Sequence, residues 1–91
     1  MDVVKRLVVR GRVQGVGYRY SMLAQASRMG IRGWVRNRRD GTVEATIAGS
    51  AAAIDQMIAW AQQGPPGSKV TEVAVEDTEG SFQGFEILPS A

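Results

Sequence analysis

Alternating apolar and polar side chains at the start of the sequence predict a β-strand over residues 5–13. Three aliphatic side chains fall on one face of that strand: Leu7, Val9 and Val13. A loop over residues 14–17 follows, and the period then becomes helical. Apolar positions three or four residues apart predict a helix over residues 18–29: Tyr18, Met22, Ala26 and Met29. Gly30 suits the position just after its last turn.

The rest of the chain predicts four more strands and a second helix. The strands cover residues 31–38, 42–48, 70–76 and 82–88. Asp40-Gly41 predicts a hairpin turn between the first two of these strands. The strand after that turn alternates two sets of side chains: Val43, Ala45 and Ile47 against Thr42, Glu44 and Thr46. Ser50 is placed to cap the second helix, and Gly64-Pro65-Pro66-Gly67 ends it.

The predicted element order is β-α-β-β-α-β with a short additional edge strand. This order is typical of an α+β fold, an antiparallel sheet with both helices on one face. The first helix carries the chain back across the sheet, so the first two strands run in the same direction. We therefore expect their C-terminal ends, near Val13 and near Asn37, to lie along one rim of the sheet.

Composition narrows the possible chemistry. The chain has 91 residues, which predicts a single domain over residues 1–91. It contains no cysteine and no histidine, which excludes disulfides, thiolate catalysis and histidine-based nucleophile pairs. The N-terminal segment mixes charged and apolar residues, unlike a signal peptide, and we expect a cytoplasmic protein that does not bind membranes.

Charge is distributed unevenly along the chain. The formal net charge is +2, but residues 1–39 carry +9 and residues 40–91 carry −7. Nine of the ten bases in the first part are arginines, whose planar guanidinium suits phosphate and carboxylate groups. The asymmetry indicates either an anionic ligand or a fold that interleaves the two segments and pairs their charges.

The loop after the first strand, with Gly15 and Gly17, is the first candidate site. Glycines allow successive backbone N–H groups to turn inward and bind an anion, and the following helix N-terminus favours negative charge. Arg19 falls in the first helical turn, where a cation is unfavourable unless an anion compensates it. The alternative interpretation is a tight turn with no ligand.

Asn37 is the second candidate. Alternation places its side chain on the same face as Val35 and Ile31, opposite Arg36 and Arg38. An amide at the end of a core-facing row needs polar partners, which could be a ligand or a water. The alternative is that Asn37 only starts the hairpin turn, a common position for asparagine.

Two segments of the chain resemble the signature segments of the acylphosphatases. They are Gly11-x-Val13-Gln14-Gly15-Val16-x-Tyr18-Arg19 and Gly33-Trp34-Val35-Arg36-Asn37-x-x-x-Gly41-x-Val43, the second closing on Gly49. Gly64-Pro65-Pro66 and Gly84-Phe85-Glu86-Ile87 are also similar to the family, so the resemblance covers essentially the whole chain. It implies a ferredoxin-like sandwich, in agreement with the element order.

The resemblance also implies an activity and the residues that carry it. The expected reaction is hydrolysis of the carboxyl–phosphate bond of an acyl phosphate, without metal or other cofactor. Arg19 matches the family's phosphate-binding arginine, and Asn37 matches its water-positioning asparagine. The expected phosphate loop consists of the backbone N–H groups of five residues: Gly15, Val16, Gly17, Tyr18 and Arg19. We further expect a monomer that inorganic phosphate, the product, inhibits competitively.

A non-catalytic nucleic-acid-binding module is the competing class, because the same fold serves RNA-binding domains. Those domains stack bases on aromatic side chains of the open sheet face. The first and third strands of this chain carry no aromatic residue, and positive charge alone supports only weak, salt-sensitive binding. We therefore expect no nucleic-acid partner. An acylphosphatase-like domain that serves a larger assembly is a third possibility.

Overall fold

The computed structural model describes residues 2–91 and contains five strands and two helices. In chain order these are β1 (Val3–Arg12), α1 (Tyr18–Met29), β2 (Arg32–Asn37), β3 (Val43–Gly49), α2 (Ala51–Ala61), β4 (Lys69–Asp77) and β5 (Phe85–Ile87). The predicted element order is confirmed. β5 covers only three of the seven residues that the pattern of residues 82–88 predicts.

The strands form one sheet in the order β4-β1-β3-β2-β5. The first four strands pair antiparallel, as predicted, whereas the short edge strand β5 runs parallel to β2. Both helices lie on one face of this sheet, and their apolar sides form the core with the inward residues of β1, β2 and β3. The other face carries no helix.

β1 and β2 flank β3 and run in the same direction, which confirms the predicted rim. Val43, the first residue of β3, pairs with Val9 of β1 on one side and with Asn37 of β2 on the other. Adjacent strands are about 4.8 Å apart, so these two partners of Val43 are separated by about 10 Å. The loop that leaves β1 therefore starts close to the end of β2.

α1 ends and α2 begins where the sequence predicts. Gly30 adopts a left-handed conformation with φ 69° after the last turn of α1, and the N–H of Ile31 donates to the carbonyl of Ala26 at 2.9 Å. The Ser50 hydroxyl caps α2 by accepting from the N–H of Ala53 at 3.2 Å. The first cap fixes where α1 leads into β2, and the second fixes where β3 leads into α2.

Tyr18 links the two helices inside the core. Its ring is buried, its hydroxyl donates to the carbonyl of Ala61 at 2.7 Å, and its centroid lies 5.3 Å from that of Trp60. Burial raises the pKa of the Tyr18 phenol well above its usual range, so the hydroxyl keeps its proton and remains a donor. The first turn of α1 is thereby attached to the C-terminal end of α2.

The hairpin between β2 and β3 occupies residues 38–42. The Arg38 N–H donates to the Thr42 carbonyl at 2.9 Å, and Gly41 alone in this turn has a positive φ, 91°. The Asp40 carboxylate accepts from the Thr42 N–H at 3.0 Å and from the Thr42 hydroxyl at 2.6 Å. The predicted Asp-Gly turn is confirmed, with the aspartate stabilising it from within.

Candidate active site

The loop after β1 has the backbone conformation that the glycines predict. Gly15 has φ 74°, and Gly17 has φ 79° with ψ 18°, so both are left-handed. A Cβ at either position would meet no atom within 4 Å. Glycine is therefore needed here for the backbone conformation and not for lack of space.

The N-terminus of α1 is not capped by the protein. Gly17 occupies the N-cap position without a side-chain hydrogen bond, and the first turn of the helix contains no acidic residue. Within residues 2–91, the backbone N–H groups of residues 15–20 donate to no carbonyl or side chain. The positive end of the helix dipole and six backbone donors are thus available to an external acceptor.

Arg19 is the second residue of α1 and is half-buried. In the part of the chain that the structure describes, it forms no ion pair, unlike most arginines of the first half. Six bases do pair with acids: Lys5, Arg6, Arg10, Arg32, Arg36 and Arg38. The fold therefore interleaves most of the opposite charges, and it leaves the guanidinium of Arg19 beside the uncapped helix end.

Asn37 ends β2 on the rim and follows Val35 on the helix-facing side of the sheet. Its backbone lies opposite Val43 in the β2–β3 ladder, and its carbonyl accepts from the N–H of Ala91 at 3.0 Å. Its side-chain Oδ1 is buried and has no hydrogen-bond partner among residues 2–91. A buried polar atom without a partner in the protein is unusual, and Oδ1 is therefore an acceptor left open to a donor from outside the chain, such as a water molecule.

Gln14 connects the loop to the hairpin, a contact that the periodicity of the sequence does not predict. Its Nε2 donates to the carbonyl of Arg38 at 2.8 Å and to that of Thr42 at 2.9 Å. Gln14 precedes Arg38 by 24 positions in the chain and Thr42 by 28. The only available signal was the position of Gln14 directly before Gly15 in the signature segment.

The open face of the sheet holds a different cluster. Glu44 is buried there between Arg6 and Arg36, whose Nε atoms donate to it at 2.8 and 2.7 Å. Burial alone raises the pKa of the Glu44 carboxyl, but the hydrogen bonds and positive charges of the two arginines together outweigh burial and lower it. An open groove of about 500 Å³ next to this cluster has four arginines, two acids and Ala91 in its lining.

This groove lies on the open face of the sheet, separate from the loop after β1 and the side chain of Asn37. Three of its four arginines are paired with Glu44, Glu76 or Asp40, so much of its positive charge is neutralised. Among residues 2–91, no group of three or more histidine, cysteine or acidic side chains is arranged to hold a metal ion. Neither helix in the described part of the chain has the length and apolar character that crossing a membrane requires.

The family model for acylphosphatases matches residues 5–87, which include β1, the loop, α1 and Asn37. The chain belongs to the acylphosphatase family. An acylphosphatase of Albidiferax ferrireducens is 49% identical over 89 residues, covering 98% of this chain and 97% of the relative. An acylphosphatase of Pyrobaculum arsenaticum is 53% identical over 87 residues, covering 92% of each chain.

The fold agrees with this membership. The crystal structure of acylphosphatase from Bacillus subtilis has a TM-score of 0.91 to this chain at 37% identity, covering 97% of this chain and 99% of that one. The ferredoxin-like α+β fold expected from the signature segments is confirmed. This acylphosphatase is a hydrolase that cleaves the carboxyl–phosphate bond of acyl phosphates, releasing a carboxylate and inorganic phosphate.

Proposed function

We propose that this enzyme binds the phosphoryl group of its substrate in the loop between β1 and α1 and aligns the attacking water with Asn37. The phosphate loop comprises the N–H groups of Gly15, Val16, Gly17, Tyr18 and Arg19. The observation that carries the proposal is the buried Oδ1 of Asn37, which lacks a partner within residues 2–91. A buried acceptor left unsatisfied costs about 1–3 kcal/mol, and a bound water removes that cost.

Arg19 supplies the positive charge in this arrangement. Its guanidinium can donate two parallel hydrogen bonds to phosphoryl oxygens, a geometry that an ammonium group cannot reproduce. A cation in the first turn of a helix opposes the dipole, so an unliganded Arg19 is unfavourable. When a phosphoryl group is bound, both the helix dipole and the guanidinium interact favourably with its negative charge.

The reaction follows from these positions. The oxygen of the water held by Asn37 attacks phosphorus in line with the bond to the acyl oxygen. As that bond breaks, its electron pair leaves with the carboxylate, and a proton of the water passes to a phosphoryl oxygen. A carboxylate is a good leaving group, so catalysis requires positioning and stabilisation of charge on the phosphoryl oxygens. In this route Arg19 and the backbone N–H groups provide that stabilisation without a metal ion or cofactor.

We further propose that residues 1–91 act as one catalytic domain, monomeric and cytoplasmic. In the described part of the chain only two large hydrophobic side chains are exposed, Tyr20 and Val75, which leaves no extended apolar surface for a second copy. The absence of aromatic residues from β1 and β3 disfavours a nucleic-acid partner. Light scattering after size-exclusion chromatography tests the monomer.

The site is tested by comparing Arg19→Ala with Arg28→Ala on benzoyl phosphate. Arg28 lies in the last turn of the same helix and is exposed and unpaired among residues 2–91, so it is a matched control. We expect inorganic phosphate to compete with substrate and its inhibition constant to rise about 10- to 100-fold in Arg19→Ala, from the loss of one or two charged hydrogen bonds. Arg19→Lys should recover little of this. Noncompetitive inhibition, or equal effects of the two alanine variants, would contradict the site.

A further inference from the structure

Gln14 holds together the two parts of the site that the proposed function assigns to phosphate and to water. Its carboxamide donates both of its hydrogens across the rim, one to the carbonyl of Arg38 and one to the carbonyl of Thr42. Arg38 directly follows Asn37, and Gly15 directly follows Gln14. The contact therefore joins the residue after the asparagine to the residue before the phosphate loop.

These two hydrogen bonds connect the two segments directly. Among the residues that the structure describes, no other hydrogen bond links residues 13–17 to residues 37–42. The backbone ladder between β1 and β3 ends at Val9 and Val43, before the loop begins. The loop is thus free of sheet hydrogen bonds to β3, and the Gln14 side chain is its hydrogen-bonded link to the segment that follows Asn37.

The geometry of the contact makes it stiff. Both acceptors lie in the same hairpin and are held in register by the 2.9 Å hydrogen bond from the Arg38 N–H to the Thr42 carbonyl. Because both Nε2 hydrogens of the planar carboxamide donate to fixed acceptors, the orientation of the carboxamide is fixed as well. Gln14 is half-buried, so water competes only partly for these carbonyls.

We infer that Gln14 is a positioning residue that sets the distance between the phosphate loop and the water held by Asn37. The inference rests on the proposed function, in which Asn37 acts on the attacking water. In-line attack requires the reacting atoms about 3–3.5 Å apart, and a misplacement of about 1 Å can cost a factor of about 10² in rate. The hairpin carbonyls take both Nε2 hydrogens of Gln14 and leave it no donor for phosphate, so its loss should change kcat and leave ground-state binding of phosphate nearly intact.

The test is a double-mutant cycle on benzoyl phosphate with Gln14→Met, which keeps the length of the side chain and removes both donors. In the native background we expect kcat to fall about 10- to 100-fold, with KM and the phosphate inhibition constant changed less than about 3-fold. In the Asn37→Ala background the same substitution should lower kcat less than about 3-fold, because no positioned water remains to be misplaced. Gln56→Met, on the exposed face of α2, is the control and should leave all three constants unchanged.

The cycle distinguishes the two hypotheses. An unchanged kcat in Asn37→Ala alone would overturn the proposed function. If Asn37→Ala lowers kcat and Gln14→Met lowers it by the same factor in both backgrounds, the proposed function stands and the inference about Gln14 is wrong. Gln14→Asn, an amide one methylene too short to reach both carbonyls, provides a second variant in case the methionine variant does not fold. It should show the same coupling to Asn37, and additive effects would again contradict the inference.

Discussion

Asn37 lies directly opposite Val43 in the ladder between β2 and β3, with its side chain on the helix-facing side of the rim. Its backbone is held by the ladder, so substitution of the side chain should not move the strand. In Asn37→Ala we expect kcat to fall about 10²- to 10³-fold, as for other lost positioning groups, while KM and the phosphate inhibition constant change little. Steady-state kinetics on benzoyl phosphate with phosphate as inhibitor measure all three constants.

Asn37→Asp provides the companion measurement. It keeps an oxygen that can hold the water but places a negative charge beside a phosphoryl dianion, so substrate binding should weaken as well. If Asn37 served only the hairpin turn, aspartate would replace it almost silently and alanine would act through a lower thermal midpoint. An active Asn37→Asp enzyme would therefore return Asn37 to a purely structural role.

Removal of metal ions should not affect turnover. The proposed charge stabilisation comes from Arg19 and from backbone N–H groups, none of which EDTA removes. We expect the same kcat and KM for benzoyl phosphate before and after exhaustive dialysis against EDTA. Loss of activity that Mg²⁺ or Zn²⁺ restores would show that a metal ion takes part in the reaction.

Gly15→Ala should weaken phosphate binding through the backbone. An alanine would meet no atom within 4 Å, but φ 74° is unfavourable for it by about 1–2 kcal/mol. The loop should therefore relax and present its N–H groups less favourably, raising the phosphate inhibition constant. Gly84→Ala is the matched control, because Gly84 has equally open space and no positive φ. Equal inhibition constants in the two variants would indicate that the left-handed turn at Gly15 is not needed for binding.

The Glu44 cluster should govern stability in acid. Because the arginine hydrogen bonds lower the pKa of Glu44 in the folded state, its contribution is fully present above the unfolded value of about 4.3. That contribution is lost as the pH falls from the unfolded-state pKa through the lower pKa of the folded state. Glu44→Gln should cost about 1.5–3 kcal/mol at pH 7 and reduce the loss of stability between pH 5 and pH 3.

Denaturant unfolding at several pH values measures this effect. Glu86→Gln is a suitable control, since Glu86 is exposed on β5 and forms no ion pair among residues 2–91. Its free energy of unfolding should follow that of the native chain at every pH. Parallel pH profiles for the native chain and Glu44→Gln would contradict the assigned role of the cluster.

The sequence predicted the elements better than it predicted what lies between them. Caps and periodicity depend on neighbours within a few positions, so Ser50, Gly30 and the core face of α1 could be identified directly. β5 was predicted too long: Phe82 and Phe85 both suit a strand, but only Phe85–Ile87 pair with β2. Its parallel direction depends on the tertiary path of the chain, which the local pattern does not contain.

Burial on the open face could not be predicted from alternation. Thr42, Glu44 and Thr46 alternate with apolar residues and were assigned to the polar face, yet their exposed fractions are only 4%, 5% and 6%. β3 is the central strand, and long arginine side chains from both neighbouring strands lie over it. Alternation gives the face of a strand, whereas burial depends on what the adjacent strands place above it.

The residues of the proposed site could be named from the sequence because of their chemistry, but the hydrogen bonds of Gln14 could not. Gly15, Arg19 and Asn37 have chemistry that a single sequence can indicate: left-handed backbone, a cation at a helix start and an amide on a core-facing row. A glutamine in a loop has no such signal. Its partners are backbone carbonyls, which every residue type carries, so only the folded chain identifies them.

Tyr18 and Arg19 are neighbours in α1, and consecutive side chains of a helix diverge by about 100°. One therefore points into the core, where its hydroxyl bonds Ala61, and the other lies beside the uncapped helix end. The helix cannot shift or rotate to admit a bulkier anion without breaking that buried hydrogen bond, at a cost of about 1–3 kcal/mol. In the proposed function, a small phosphoryl group is therefore selected by the stiffness of the core behind the loop, without an enclosing wall in front of it.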